Sequence, residues 1–229
     1  MAKNKVILIA DNIITSIPIQ ENNEEIIDLS SQDLIACYQN TDSMSLLPIK
    51  VRKTVYKKLL QAQTLLPKNL FFCVYEGYRP LECQEEIFIK KFAQLYQQNP
   101  QKPYEKLFQQ TTRVVSPVVN LNGSINIPPH STGAAVDVYL VNADEEPIEM
   151  GIHPKDSFED VNGILCATDS EKISKEAKLN RQIMATALKK VDFVNYYTEY
   201  WHWSYGDRFW AYHTGAKYAI YGLYQDKNK

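Results

Sequence analysis

Residues 129–141 read Pro-His-Ser-Thr-Gly-Ala-Ala-Val-Asp-Val-Tyr-Leu-Val, placing two metal-binding side chains, His130 and Asp137, on either side of a run of small residues. Residues 136–141 predict a strand, and since strand side chains repeat every second residue, Asp137 and Tyr139 share one of its faces. Seven positions separate His130 from Asp137, so on one straight strand they face opposite ways. A bend at Gly133, Ala134 and Ala135 lets a histidine on the loop after Pro129 fold back beside the aspartate.

Working outward, residues 70–75 (Leu-Phe-Phe-Cys-Val-Tyr) predict a buried strand that ends at Glu76-Gly-Tyr-Arg-Pro80, where glycine and proline signal a turn and set Arg79 at the strand end. Amphipathic helices are expected over residues 50–66 and 81–98, the second broken by Pro100 and Pro103. Residues 114–129 read as loop with short extended pieces. Residues 142–170, rich in Asp, Glu, Asn, Gly and Pro, predict a long irregular loop, of the kind that often carries function. A helix follows over 171–190, and residues 193–205, dense in aromatic and β-branched side chains, predict a strand. That last block holds Glu199 and His202, which face the same side only on a helical turn or where a strand bends or bulges.

The 229 residues suit one domain, with 45% hydrophobic and 11% aromatic side chains to fill its core. A net charge of −2, from 25 basic and 27 acidic residues, gives no support to a phosphate-tracking nucleic-acid role and suits a small neutral or zwitterionic ligand. The apolar run at residues 6–10 is too short for a signal-peptide core and reads as a strand. No stretch approaches the ~20 apolar residues of a membrane span. Cys37, Cys73, Cys83 and Cys166 show neither a disulfide framework nor a paired metal spacing, so a reducing cytoplasm is the expected compartment. The sequence assigns no oligomeric state.

A hydrolytic zinc centre needs about three protein ligands and one open position. His130, Asp137 and His202 can supply the ligands, which frees Glu199 to act as a base. Taken singly, each residue also has an ordinary reading: a loop histidine, a strand-edge aspartate, a polar edge on an aromatic strand and, for Arg79, a surface ion pair. His153 and His213 are assigned to structure.

The order and spacing of the whole set resemble the zinc D-alanyl-D-alanine dipeptidases, the family that includes the vancomycin-resistance dipeptidases and is related to D,D- and L,D-carboxypeptidases. The resemblance runs over residues 50–215 through Glu76-Gly-Tyr-Arg-Pro80, His130-x6-Asp137, Met150-Gly151, Asn162-Gly-Ile-Leu-Cys166, Asn180-Arg181 and Glu199-Tyr-Trp-His202. It implies one zinc held by His130, Asp137 and His202, with Glu199 as general base and Arg79 binding the oxyanion. Zinc brings the pKa of water towards neutrality and polarises the scissile carbonyl. A carboxylate in reach of that water can carry its proton to the leaving amine. The resemblance further implies a bacterial cytoplasmic enzyme acting on cell-wall precursors.

The expected fold is α+β, a central mainly antiparallel sheet with flanking helices and a zinc cleft on the sheet, forming a single domain over residues 1–229. The expected substrate is the small D-amino-acid peptide D-Ala-D-Ala; trimming of longer muropeptide stems is the alternative. A non-catalytic peptidoglycan-fragment binder, of another class, needs neither Glu199 nor Arg79. The chain departs from its relatives in three places: Pro128 replaces the serine of their Ser-x-His, Glu-Trp-Trp-His has become Glu-Tyr-Trp-His, and Asp192-Phe193 replaces a Gly-Phe. The loop after Gly151 is short, leaving Asp156, Glu159 and Asp160 as candidates for holding the substrate's ammonium group.

Overall fold

The apolar run after His130 becomes the middle strand of a five-stranded sheet. The computed structural model describes residues 6–32, 35–38 and 49–225. In chain order the elements are α1 (Asn12–Thr15), β1 (Ile26–Asp28), β2 (Ala36–Cys37), β3 (Lys50–Arg52), α2 (Lys53–Gln63), β4 (Phe71–Glu76), α3 (Leu81–Gln98), α4 (Tyr104–Thr111), β5 (Ala135–Val141), α5 (Lys175–Lys189), β6 (Val194–Asn195), β7 (His202–Ser204) and α6 (Arg208–Thr214). The sheet order is β2-β4-β5-β7-β6, antiparallel except for the parallel β2–β4 pair, and β1 pairs with β3 in a separate two-stranded sheet. This is the expected α+β architecture.

Every residue of β5 is buried. Val136, Val138 and Leu140 belong to the main core with Val55 and Leu59 of α2, Met184 and Leu188 of α5, and Trp203 of β7. Each fully buried side chain of this kind contributes about 1.5–3 kcal/mol. The alternate positions, Asp137 and Tyr139, take the other face, as strand periodicity requires.

Four expectations change. Residues 193–205 form a hairpin, β6 and β7, in place of one strand, because the Asn195 amide ties the connecting chain back by donating to the carbonyls of Glu199 (3.1 Å), Tyr200 (3.3 Å) and His202 (3.0 Å). Residues 6–10 form no strand; Ile9 packs with Ile14, Tyr196 and Phe209 as a side-chain anchor. Three helices, α1, α4 and α6, add to those expected. The helix expected over 50–66 gives up residues 50–52 to β3, where pairing with β1 competes for them. Among the described residues no helix is long and apolar enough to cross a membrane. Lys3 and Lys5 lie outside the described residues.

Candidate metal centre and cavity

Strand register sets the site. Glu76 of β4 stands opposite Asp137 of β5, and Asp137 opposite His202 of β7, so one lateral row across three strands carries two carboxylates and an imidazole on one face. The row depends on a register shift between Val74 and Glu76. Without it Tyr75 stands opposite Asp137, since a bulge changes which residue of the bulged strand meets the partner.

His130 reaches this row from the 3₁₀ turn Pro129–Thr132, which Gly133 closes in the left-handed conformation (φ 71°). A side chain at 133 is strained by that φ, and its Cβ meets Ile26 Cδ1 at 2.8 Å. Gly77 is needed for a different reason: a Cβ there runs into the Lys50 carbonyl and comes within 3.0 Å of Val51. That close approach lets the His130 Nδ1–H donate to the Gly77 carbonyl at 2.8 Å. The bond fixes the tautomer and leaves the Nε2 lone pair facing the row.

The donor atoms form a tight triangle: His130 Nε2 to His202 Nδ1 is 3.0 Å, His202 Nδ1 to Asp137 Oδ1 is 3.1 Å, and His130 Nε2 to Asp137 Oδ1 is 3.3 Å. All three residues are at least 95% buried, and together they can hold a metal ion. A tetrahedral zinc with bonds of about 2.0–2.1 Å sets its ligands roughly 3.3–3.4 Å apart. Two imidazoles and one carboxylate are also a donor set of zinc chemistry, so the residues fit the ion.

Electrostatics agree with a site built for a cation. Burial alone pushes the Asp137 carboxyl up, but His130 and His202 outweigh it and hold the group well below the usual carboxylate range. His130 responds in kind: burial is the largest single effect and lowers its pKa, but the charge and hydrogen bond of Asp137 together with the Glu76 charge outweigh it, and the net shift is upward. His202 stays below the ordinary imidazole value because burial prevails.

The 196–201 connection places Glu199 beside the same centre, held by Glu199 N–H donating to Tyr196 O (2.9 Å) and His202 N–H donating to Glu199 O (3.2 Å). This turn answers how Glu199 and His202, three apart, come to face one side. Burial, reinforced by the Asp137 charge, raises the Glu199 carboxyl well above its ordinary value, and Arg79 only partly offsets the rise. Arg79 lies just past β4, its Nε donating to Glu76 Oε1 at 2.6 Å, its Nη2 to Glu76 Oε2, and its Nη1 to Gln84 Oε1 at 2.7 Å. A guanidinium has five N–H donors; three are used here, which leaves two.

His130, Asp137, His202, Glu199 and Arg79 all line one cavity of about 160 Å³. The three candidate ammonium binders do not. The Asp160 carboxylate accepts from the backbone of Leu165 (2.6 Å) and Cys166 (2.9 Å), and neither Asp156 nor Glu159 lines the cavity. Sequence reasoning missed Glu76 and Gln84 as the residues that aim Arg79. Glu76 lay inside the quoted motif, whereas Gln84, on the first turns of α3, had no signal. His153 packs its ring against Tyr139 (4.5 Å) and His213 against Phe209 (4.5 Å), and neither lines the cavity that holds the donor triangle.

The model of the D-ala-D-ala dipeptidase family matches residues 42–219. The chain belongs to that family. It is a metallopeptidase, and the buried His-Asp-His group is where its fold can hold the metal. A D-alanyl-D-alanine dipeptidase from Synechocystis sp. is 24% identical over 188 residues, 75% of each chain. Among solved structures, an alanine variant of the vancomycin resistance D,D-pentapeptidase VanY from a VanB-type cassette, in complex with Zn(II), is 16% identical with a TM-score of 0.45, over 86% of this chain and 89% of that one. The LdcB LD-carboxypeptidase is 14% identical with a TM-score of 0.41, over 82% of this chain and 71% of that one.

Proposed function

We propose that this D-ala-D-ala dipeptidase homologue hydrolyses D-alanyl-D-alanine to two D-alanine with one zinc held by His130, Asp137 and His202. The observation that carries the reading is the meeting, in one cavity, of the buried donor triangle with a carboxyl of raised pKa and a pinned guanidinium. When bound, zinc supplies Lewis acidity and water of near-neutral pKa. Glu199 takes the attacking water's proton and delivers it to the leaving nitrogen, a task suited to a carboxyl whose pKa is raised towards the working pH. Arg79, held by Glu76 and Gln84, directs its two remaining N–H groups to the oxygen on which negative charge develops, an effect worth roughly 2.7–4 kcal/mol per donor in comparable oxyanion sites. The unpaired cysteines support a reducing compartment, the bacterial cytoplasm, where the reaction serves turnover or recycling of cell-wall precursors.

One observation favours a second substrate. The cavity's carboxylates are all engaged: Glu76 by Arg79, Asp137 by two imidazoles, and Glu199 as base. A free ammonium group therefore has no uncommitted acid to meet, which suits a longer stem whose D-Ala-D-Ala is acylated at nitrogen. Released D-alanine, measured for the zinc-loaded enzyme and its Glu199→Gln variant with the dipeptide and with a pentapeptide stem, decides between them. Release from the dipeptide alone, lost in the variant, supports the dipeptidase; release from the stem moves the assignment to a carboxypeptidase; release from neither sinks both.

A further inference from the structure

We infer that Lys155 is the specificity residue that binds the substrate's terminal carboxylate, an assignment resting on the peptidase reading above and common to both of its substrates. Five charged side chains line the cavity: Glu76, Arg79, Asp137, Lys155 and Glu199. Four are committed to one another or to the metal and base roles. Lys155 differs, for among the described residues its ammonium group has no hydrogen bond or ion pair.

Its setting points to a carboxylate ligand. Lys155 sits in the 3₁₀ turn Pro154–Asp156, whose first residue, Pro154, is buried and whose capping residue, His153, accepts from the Lys155 N–H at 3.2 Å. The lysine's backbone is thus fixed at the cavity, and its exposed side chain is free to meet a ligand there. A second cation stands near the lining: Lys91, 3% exposed, lies 5.1 Å from the ring of Phe158, which also lines the cavity. Arg79 is already paired with Glu76 and Gln84, so Lys155 is the uncommitted cation among the side chains that line the cavity. An anionic group that enters the cavity is attracted to this unpaired charge. A peptide ending in D-alanine brings one such group, its free carboxylate. The short, flexible lysine charge can follow it as a point donor.

The test compares kcat/KM for D-Ala-D-Ala and its C-terminal amide, and for the stem peptide and its amide, in the wild type, Lys155→Gln and Lys155→Arg. The expected wild-type preference for acid over amide is about tenfold, the scale of one charge-assisted hydrogen bond. It collapses in Lys155→Gln through a rise in KM for the acid, and returns in Lys155→Arg. A preference that persists in Lys155→Gln overturns the assignment alone, leaving the peptidase reading intact. A wild type that cleaves none of the four peptides overturns the peptidase reading and this assignment with it.

Discussion

The metal-facing row of the sheet and the wall that faces it are built from different materials. Glu76, Asp137 and His202 project from three hydrogen-bonded strands, so ladder register fixes their spacing. The opposite wall runs through residues 142–170, where the 3₁₀ turn Pro154–Asp156 is the one helical turn. It is tied from beneath by Arg181, 3% exposed, which donates to the carbonyls of Met150 (2.8 Å), Ala167 (2.7 Å) and Leu165 (2.9 Å) and stacks over Tyr200 at 3.9 Å. A second tie is the Tyr200 hydroxyl, donating to Ile152 O at 2.7 Å. Ladder register therefore sets Asp137, His202 and Glu76, turns beside the strands bring His130, Arg79 and Glu199 to them, and the loop that carries Lys155 is held by side-chain ties to backbone carbonyls.

Removing the chemical groups set beside the row should cost turnover and leave the wall intact. Glu199→Gln is expected to lower kcat about 10³–10⁴-fold with the zinc content unchanged, at the upper end of general acid–base effects. Because the Glu199 pKa is raised, the base is ionised only above that raised value, so activity falls on the acid side at a pH higher than an ordinary carboxyl gives. A pH–rate profile of kcat/KM reads this limb, and a limb at the ordinary carboxylate value contradicts the assignment. Arg79→Lys comes next, with a loss of about 10²–10³-fold in kcat and full metal occupancy, since lysine cannot keep both the Glu76 pair and an oxyanion donor. Metal analysis beside kinetics checks it; loss of zinc in this variant contradicts the separation of roles.

Breaking the wall should do the reverse. Arg181→Met removes three charge-assisted hydrogen bonds to buried carbonyls and is expected to cost about 2–4 kcal/mol of stability, read by urea unfolding. In the fraction that stays folded, zinc is retained and KM rises more than kcat falls. Equal losses of zinc and of fold in this variant unite the two regions and end the comparison.

The same division explains what was legible in the sequence. Strand β5, strand β4 and helix α3 were readable because their apolar periodicity is dictated by packing on the sheet, and the bend at Gly133 followed from the geometry that His130 and Asp137 need. The hairpin β6–β7 was not, because its aromatic residues suit a strand throughout and only the Asn195 amide, bonded to three carbonyls, reveals the turn. Helix α6 had local signals, Asp207 accepting from Trp210 N at 2.8 Å and Gly215 closing the helix with φ 72°. They were masked by the aromatic density around them. Pro103 signals a break in the sequence, yet in the fold it stands at the N-cap of α4, a place that proline tolerates. In the site, the donors were legible as residue types at workable spacing. Their second neighbours, Gly77 O behind His130 and Gln84 behind Arg79, were not, because backbone carbonyls and long-range amide contacts leave no pattern in the chain.

The most direct measurement is a zinc titration of the metal-free protein, following D-alanine released from D-Ala-D-Ala and from the stem peptide at each addition. Activity that rises linearly and breaks at one zinc per chain, with no break in His202→Ala, is the predicted result. Turnover that is already full before zinc is added, or that survives removal of the ion by a chelator, contradicts it.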